Sequence, residues 1–245
     1  MNNFKLLIEY DGTNYFGWQI QPQHITVQGV IKEKLEIIFQ ENINLQGASR
    51  TDAKVHARGQ VANFFATKDF SCSNLKIRLN KLLPDDIRII DIVKVGENFN
   101  ARKDAIKKTY KYYIYNREIN SPFYRNYSWH INREIDIDIL NRLSSQIIGE
   151  HNFLSFSGQK CSAVTFERIV FDAKWIKKKD FFIFTIIGNG FLKNMVRKIV
   201  GAIIAVNNKQ EEENYIAELL EIRDRAKAKY CAPPQGLFLE SIFYL

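Results

Sequence analysis

Segments with the two-residue hydrophobic period of a strand alternate along the chain with segments that have the 3.6-residue period of a helix. The order of these segments limits the possible folds more than any other feature of the sequence. Residues 4–9 alternate apolar and polar side chains as a strand does, and Thr26 can cap a helix with the 3.6-residue period. Strand patterns at 60–66 and 87–95 flank a second helix pattern. If 43–48 is also a strand, the first half reads β-α-β-β-α-β, the ferredoxin-like order. The apolar helix positions are Val27, Val30, Ile31, Leu35 and Ile38 in the first helix, and Leu75, Leu79 and Leu82 in the second, which Pro84 ends.

The second half predicts the same order with one extra helix. Gly149 can end its first helix, and residues 177–180 form the turn of its hairpin. The predicted fold is therefore α+β, with ferredoxin-like halves at 1–100 and 101–245 packed side by side around a basic cleft. The predicted elements are a strand at 109–115, a helix at 139–147, hairpin strands at 169–176 and 181–187, helices at 191–206 and 211–221, and a strand at 237–244.

The amino-acid composition limits the kinds of molecule that this protein can be expected to bind. With 245 residues and 46% hydrophobic content, the chain can bury a core. Its 35 Lys and Arg against 27 Asp and Glu leave a net charge of +8, which favours nucleic acid or an anionic membrane as partner. The sequence has no apolar run of membrane-spanning length and opens on a strand pattern, so we expect a cytoplasmic protein with no membrane segment. Scattered cysteines and histidines, without ligand spacing, predict no metal site.

The segment 47–61, GASRTDAKVHARGQV, places small and charged residues between two apolar runs. Small residues allow another backbone to approach closely. On these residues alone, the simplest interpretation is a surface turn in which Asp52 makes a local hydrogen bond and Arg50 is solvated.

The same segment resembles the active-site signature of the TruA family of pseudouridine synthases. The resemblance continues in order along essentially the whole chain. Its motifs are YDGT at 10–13, FGWQ at 16–19, RTDA at 50–53, VHA at 55–57, GQV at 59–61, LP at 83–84 with DI at 86–87, FNAR at 99–102, TYKY at 109–112, residues 153–156, RI at 168–169, NMVR at 194–197, IVG at 199–201, and GL at 236–237 with Leu239.

The resemblance implies a reaction and a site. A uridine in the anticodon arm of tRNA, at positions 38 to 40, is isomerised to pseudouridine without cofactor or metal. Asp52 is then the nucleophile, toward either C6 of the base or C1′ of the sugar. Arg197 keeps that carboxylate ionised, and Tyr110 stacks on the flipped base. Arg50 assists the flipping, and the family acts as a homodimer.

Lys54, His56 and Arg58 lie in the same segment as Asp52, and we predict that they bind substrate together with Arg50 and Tyr110. Lys54 stands where the family usually has glycine, and Ser49 where a second glycine is common. Lys54 can take φ below zero, add a phosphate contact or change the accepted tRNA positions, and the sequence does not choose. The predicted phosphate contacts are Arg102, Lys103, Lys107, Lys108, Lys111, Lys193, Lys198, Arg223, Arg225, Lys227 and Lys229.

Three other functions fit parts of the pattern. A catalytically silent RNA-binding module would keep the basic face and the tyrosines. A metal-dependent nuclease would need clustered carboxylates, and a uridine C5-methyltransferase would need a cysteine nucleophile.

Overall fold

The computed structural model describes residues 1–159, 161 and 163–245, and they form two compact units. The first unit contains Met1–Ile106 and Leu239–Leu245, and the second contains Lys107–Phe238. Helices and strands are mixed in both units, which confirms the predicted α+β class.

The first unit has the ferredoxin-like arrangement that the sequence predicts. Its strands lie in the order β4-β1-β3-β2, and each neighbouring pair is antiparallel. The helices follow the first and third strands. The elements are β1 (Asn2–Tyr10), α1 (Val27–Phe39), β2 (Gln46–Gly47), β3 (His56–Ala66), α2 (Cys72–Leu82) and β4 (Ile87–Val95).

The strand predicted at 43–48 shrinks to two residues. Ile43 donates its N–H to the Glu36 carboxylate at 3.1 Å, and the Leu45 carbonyl accepts from the Gln28 side chain at 2.7 Å. Side chains of α1 therefore take backbone groups that a longer strand would pair.

Both helices of the first unit begin at the expected type of cap. Thr26 accepts a hydrogen bond from the Gly29 N–H, and Ser71 accepts one from Asn74. The prediction for α2 is wrong at one position. Leu82 is 42% exposed, whereas Leu83, directly after the helix, is 6% exposed. The extended backbone of Leu83 turns its side chain into the core in place of Leu82.

The second unit repeats the order of the first. Its strands lie in the order β5-β9-β8-β7, so β5, β9 and β8 correspond to β1, β3 and β2. β6 pairs in parallel with the end of β5. The elements are β5 (Lys107–Asn116), β6 (Trp129–Ile131), α3 (Ile137–Ser145), β7 (Gly149–Asn152), β8 (Glu167–Lys178), β9 (Phe181–Gly188), α4 (Met195–Asn207), α5 (Tyr215–Ile222) and β10 (Leu237–Phe243). From Leu239 onward, β10 belongs to the first unit and lies beside β3.

Several predicted boundaries in the second unit are wrong, three of them for a backbone reason. The helix predicted at 211–221 begins only at Tyr215. Gly149 has φ +107° and begins β7, while α3 ends at Ser145. The helix predicted from residue 191 begins at Met195, because Asn194 has φ +61° and cannot continue a right-handed helix. The hairpin turn contains Lys179, at φ +54°, and Asp180, with β8 extending to Lys178.

No helix in the described ranges has both the length and the apolar character needed to cross a membrane.

Candidate active site

Asp52 lies on the loop between β2 and β3, and the first residues of that loop are anchored on β3. Ala48 donates its N–H to the Val61 carbonyl at 2.8 Å. The buried side chain of Gln60 donates to the Ser49 carbonyl at 2.8 Å and accepts from the Ser49 N–H at 3.2 Å. These bonds fix the backbone of the loop directly before Arg50.

The segment 10–18 holds the backbone on both sides of Asp52. The Trp18 N–H donates to the Thr51 carbonyl at 3.2 Å, and the Lys54 N–H donates to the Tyr15 carbonyl at 3.1 Å. The Tyr10 and Thr51 hydroxyls are 2.7 Å apart. Each neighbour of the Asp52–Ala53 pair is therefore tied to the amino-terminal segment.

Two glycines allow this close approach. A Cβ on Gly12 would overlap the Val55 carbonyl oxygen. Gly17 has φ +86°, and a Cβ there would overlap the Thr51 carbonyl oxygen and lie 3.0 Å from the Asp52 carbonyl carbon. Only glycine fits either position without moving the loop. The two amino-terminal motifs therefore have a physical reason that is separate from any contact with RNA.

The charged side chains of the loop differ in exposure. Asp52 is half-buried, whereas Arg50 and Lys54 are exposed. Arg58 is exposed and lies 3.3 Å from the Glu240 carboxylate. Arg50 and Lys54 are thus placed where a polyanion can reach them.

Lys54 has φ +64°, so the alternative in which it takes φ below zero is wrong. The left-handed conformation of a lysine is less stable by about 1 kcal/mol or more than its right-handed one. The Lys54 N–H bond to Tyr15 helps to hold this conformation.

His56 is 1% exposed at the start of β3. Its Nδ1 lies 3.1 Å from the Gly12 N–H nitrogen and 3.1 Å from the Asp11 carboxylate. The ring therefore lies against the turn that follows β1, and substrate binding by His56 stays a prediction.

In the second unit, Tyr110 lies on β5 and is 4% exposed. The Phe191 ring meets it edge-on at a centroid distance of 5.1 Å. Tyr112 follows on the same face of the strand and donates its hydroxyl to the Pro233 carbonyl at 2.8 Å. Burial raises the pKa of Tyr112 well above its ordinary value, and the charge of Arg197 opposes this rise.

Arg197 lies on the first turn of α4 and is held by the segment 230–233. Its Nε donates to the Ala232 carbonyl at 2.8 Å, and its own carbonyl accepts from the Ala232 N–H at 2.9 Å. A Cβ on Gly201 would lie 2.9 Å from the Cys231 nitrogen, so α4 touches this segment directly. Arg197 and Tyr112 thus bind adjacent residues.

Two of the residues predicted to contact phosphate, Lys198 and Arg225, form hydrogen bonds within the second unit. Lys198 Nζ lies 3.3 Å from each of the Ser155 and Arg225 carbonyls, and burial lowers the pKa of Lys198. Arg225 Nε donates to the Ser157 hydroxyl at 2.6 Å. Both cations therefore support the segment 153–158, and their contact with phosphate stays a prediction.

The structure thus groups the predicted site residues by unit. Arg50, Asp52, Lys54, His56 and Arg58 share one loop and strand of the first unit, and Tyr110 and Arg197 lie in the second. In the ranges that the structure describes, no group of three or more His, Cys, Asp or Glu side chains is placed to hold a metal ion.

Comparison with known proteins decides the family. The family model described as tRNA pseudouridine synthase matches residues 6–103 and 143–244. The chain belongs to the tRNA pseudouridine synthase family. An enzyme of this family isomerises uridine to pseudouridine in tRNA, which confirms the predicted activity. Asp52 and Arg197 lie within the ranges matched to the tRNA pseudouridine synthase model, and Tyr110 lies between them.

Full-length relatives in the tRNA pseudouridine synthase family support the assignment. The tRNA pseudouridine synthase A of Geotalea daltonii is 44% identical over 244 residues, and that of Thermoanaerobacter sp. strain X514 is 42% identical over 244 residues. Both alignments cover 100% of this chain and 100% of the relative. The protein of the same name from Brachyspira hyodysenteriae is 42% identical over 246 residues, covering 100% of this chain and 99% of the relative.

Proposed function

We propose that the chain isomerises uridines at positions 38 to 40 in the anticodon arm of tRNA, with Asp52 as the nucleophile. One observation carries the residue assignment: the loop that bears Asp52 is clamped by its own strand and by the segment 10–18, with the carboxylate only half-buried. A carboxylate held in this way can approach a base without reordering its loop.

The chemistry needs no external reactant. The bond between C1′ and N1 breaks, the uracil turns while it is held, and a new bond forms between C1′ and C5. The proton leaves C5, and N1 carries a proton in the product, so atoms balance. An ionised Asp52 adds to C6 or to C1′ and leaves again, which divides one difficult step into two.

Arg197 and Tyr110 act on the same uridine as Asp52 in this proposal. A guanidinium near the carboxylate favours its ionised form. Tyr110 is 4% exposed before RNA binds, so a base stacks on its ring only after packed neighbours such as Phe191 move aside. Flipping the base out of its stack requires a few kcal/mol, and stacking on Tyr110 offsets part of that requirement.

Arg50, Lys54 and Arg58 bind the RNA next to the flipped nucleotide. The exposure of all three side chains supports this role. A guanidinium both stacks on bases and binds phosphate through paired donors, so Arg50 also assists flipping.

Substituting Asp52 tests the proposal. We expect Asp52→Asn to bind tRNA as the wild type does and to lose pseudouridine formation by at least about 10³-fold, because the amide is not a nucleophile. Carbodiimide-dependent reverse-transcription stops at positions 38 to 40 measure the product, and a gel shift measures binding.

Asp85→Asn is the matched control, because Asp85 is an exposed carboxylate of the same unit. It should leave both measurements unchanged. Product from Asp52→Asn would remove the nucleophile assignment, and a wild-type protein that forms no pseudouridine in any tRNA would remove the proposed function.

The homodimer, the cytoplasmic location and the boundary near residue 100 rest on the resemblance and the sequence pattern. Light scattering on the purified chain tests the dimer, which should have twice the 28.7 kDa mass of one chain.

A further inference from the structure

We infer that His56 is a positioning residue: through Asp11 and Gly12 it holds the amino-terminal turn against the loop that carries Asp52. The inference rests on the proposed role of Asp52. It replaces a direct contact between His56 and RNA with an action through the backbone of that loop.

The position of His56 argues against a direct contact. The ring is 1% exposed, although the residue comes only four positions after Asp52. Its Nδ1 faces Gly12 and Asp11, so that atom is directed at the turn after β1 and not at a phosphate or a base.

His56 Nδ1 joins β3 to the turn that follows β1. It lies 3.1 Å from the Gly12 nitrogen and 3.1 Å from Asp11 Oδ1. The same Asp11 oxygen accepts from the Thr13 N–H at 2.9 Å and the Thr13 hydroxyl at 2.5 Å, which closes the turn. Nδ1 has one lone pair or one proton, so it accepts from Gly12 when it carries the lone pair and donates to Asp11 when it carries the proton. Either bond ties β3 to the turn.

The turn continues into the residues that hold Asp52. Tyr15 and Trp18 bond the backbone at Lys54 and Thr51, on either side of the carboxylate. Gly17 lies against the Asp52 carbonyl carbon. Because only four residues separate Thr13 from Trp18, a shift of the turn moves these contacts as well. A displacement of about 1 Å at a reacting group can lower a rate by about 10²-fold.

The test compares three substitutions of His56 in the full-length protein. The Asn Oδ1 lies near the position of Nδ1 and can accept from Gly12, whereas the Gln Oε1 lies about one bond too far out. Leu has similar bulk and no acceptor. We expect His56→Asn to keep a single-turnover rate within about threefold of the wild type. His56→Gln and His56→Leu should be about 10- to 100-fold slower, with the Kd for tRNA unchanged within twofold.

His130→Leu is the matched control, since His130 lies on β6 of the second unit and its ring bonds the Arg117 carbonyl. It should leave the rate unchanged. Circular dichroism identifies any variant that fails to fold, and if His56→Leu does, the Asn and Gln pair decides the question.

Three results would overturn the inference. The Kd could rise in step with the loss of rate, as a direct RNA contact requires. His56→Asn could be as slow as His56→Gln, or both could react at the wild-type rate. An active wild type together with an inactive Asp52→Asn shows that the proposed function stands even where the inference about His56 fails.

Discussion

Lys54 shows how much a single residue can depart from the conformation its side chain favours. It takes a left-handed backbone two positions after Asp52, where the resembling family usually has glycine. Strained residues persist where surrounding contacts hold them, and they concentrate at functional sites. Lys179 and Lys209 are also lysines at positive φ, in a hairpin turn and after α4.

Comparing these lysines separates the effect of backbone strain on stability from the effect of the lysine charge on tRNA binding. Lys54→Gly should change the free energy of unfolding by no more than about 1 kcal/mol, because relief of the left-handed strain is offset by the greater freedom of glycine in the unfolded chain. Its Kd for tRNA should rise, and the slope of log K against log salt should fall by about one unit, because one phosphate contact is lost.

Lys179→Gly is the control, since it makes the same chemical change at φ +54° on a hairpin turn. Equal Kd values and salt slopes for the two variants would exclude a phosphate contact by Lys54. Filter binding over a range of KCl concentrations gives both quantities.

The candidate site residues were predicted from the order of the family motifs, because hydrophobic periodicity does not mark them. Asp52 could be chosen because its loop matched a family signature. The burial of His56 could not be predicted, because β3 buries nearly every position and has no alternation to show which face a residue takes. The roles of Gly12 and Gly17 depend on contacts with residues more than 30 positions away, which sequence spacing does not show.

The segment from Gly12 to Trp18 holds the Asp52 loop in place, and we call it the clamp. It contains one short 3₁₀ turn, Gly12–Asn14, and otherwise contributes single hydrogen bonds and close backbone contacts. Loops placed on a rigid scaffold commonly carry function, and here one loop fixes another.

Adding one methyl group tests the clamp. Gly17→Ala should lower the free energy of unfolding by about 2 kcal/mol or more, because Cβ overlaps the Thr51 carbonyl and φ +86° disfavours alanine. The single-turnover rate should fall with it as the loop moves. Urea unfolding and the pseudouridine assay measure the two effects.

Gly96→Ala provides the comparison within the same unit. No described atom lies within 4 Å of the position that its Cβ would take, and its φ is not positive. Its stability and rate should stay near those of the wild type. Equal free energies of unfolding and equal rates for the two variants would show that the close approach at Gly17 does not stabilise the loop.

Long periodic elements were predicted well and short ones poorly. The strand predicted at 87–95 has the bounds of β4, and the cap of α1 is at Thr26. β6 and β7, with three and four residues, are too short to show a period. β2 was shortened by side chains of α1, which is a tertiary effect that a local pattern cannot reveal.

Two segments that are far apart in the sequence, Met1–Ile106 and Leu239–Leu245, together build the first unit. Tyr244 donates its hydroxyl to the Ala101 carbonyl at 2.7 Å, and its ring lies 5.2 Å from that of Phe99. Lys5 Nζ lies 5.0 Å from the centre of the Tyr244 ring. These residues pack beside a small buried cluster of Ala48, Val61 and Ala101.

Removing one aromatic side chain near the end of the chain measures this closure. Tyr244→Ala should lower the free energy of unfolding by about 2 to 4 kcal/mol, because a partly buried ring and a hydrogen bond are lost together. Phe243→Ala removes the neighbouring ring, which is 56% exposed, and should cost less than about 1 kcal/mol. Equal losses in thermal or urea unfolding would show that the contacts of Tyr244 do not stabilise the first unit.

The return of β10 to the first unit affects the order of events during protein synthesis. A ribosome synthesises the Asp52 loop early, yet the strand beside β3 that carries Glu240 follows more than 180 residues later. Because domains generally fold as units, a nascent chain that stops short of β10 has the Asp52 loop without its complete scaffold. The nascent chain should therefore stay inactive toward RNA until β10 has been synthesised and has paired with β3.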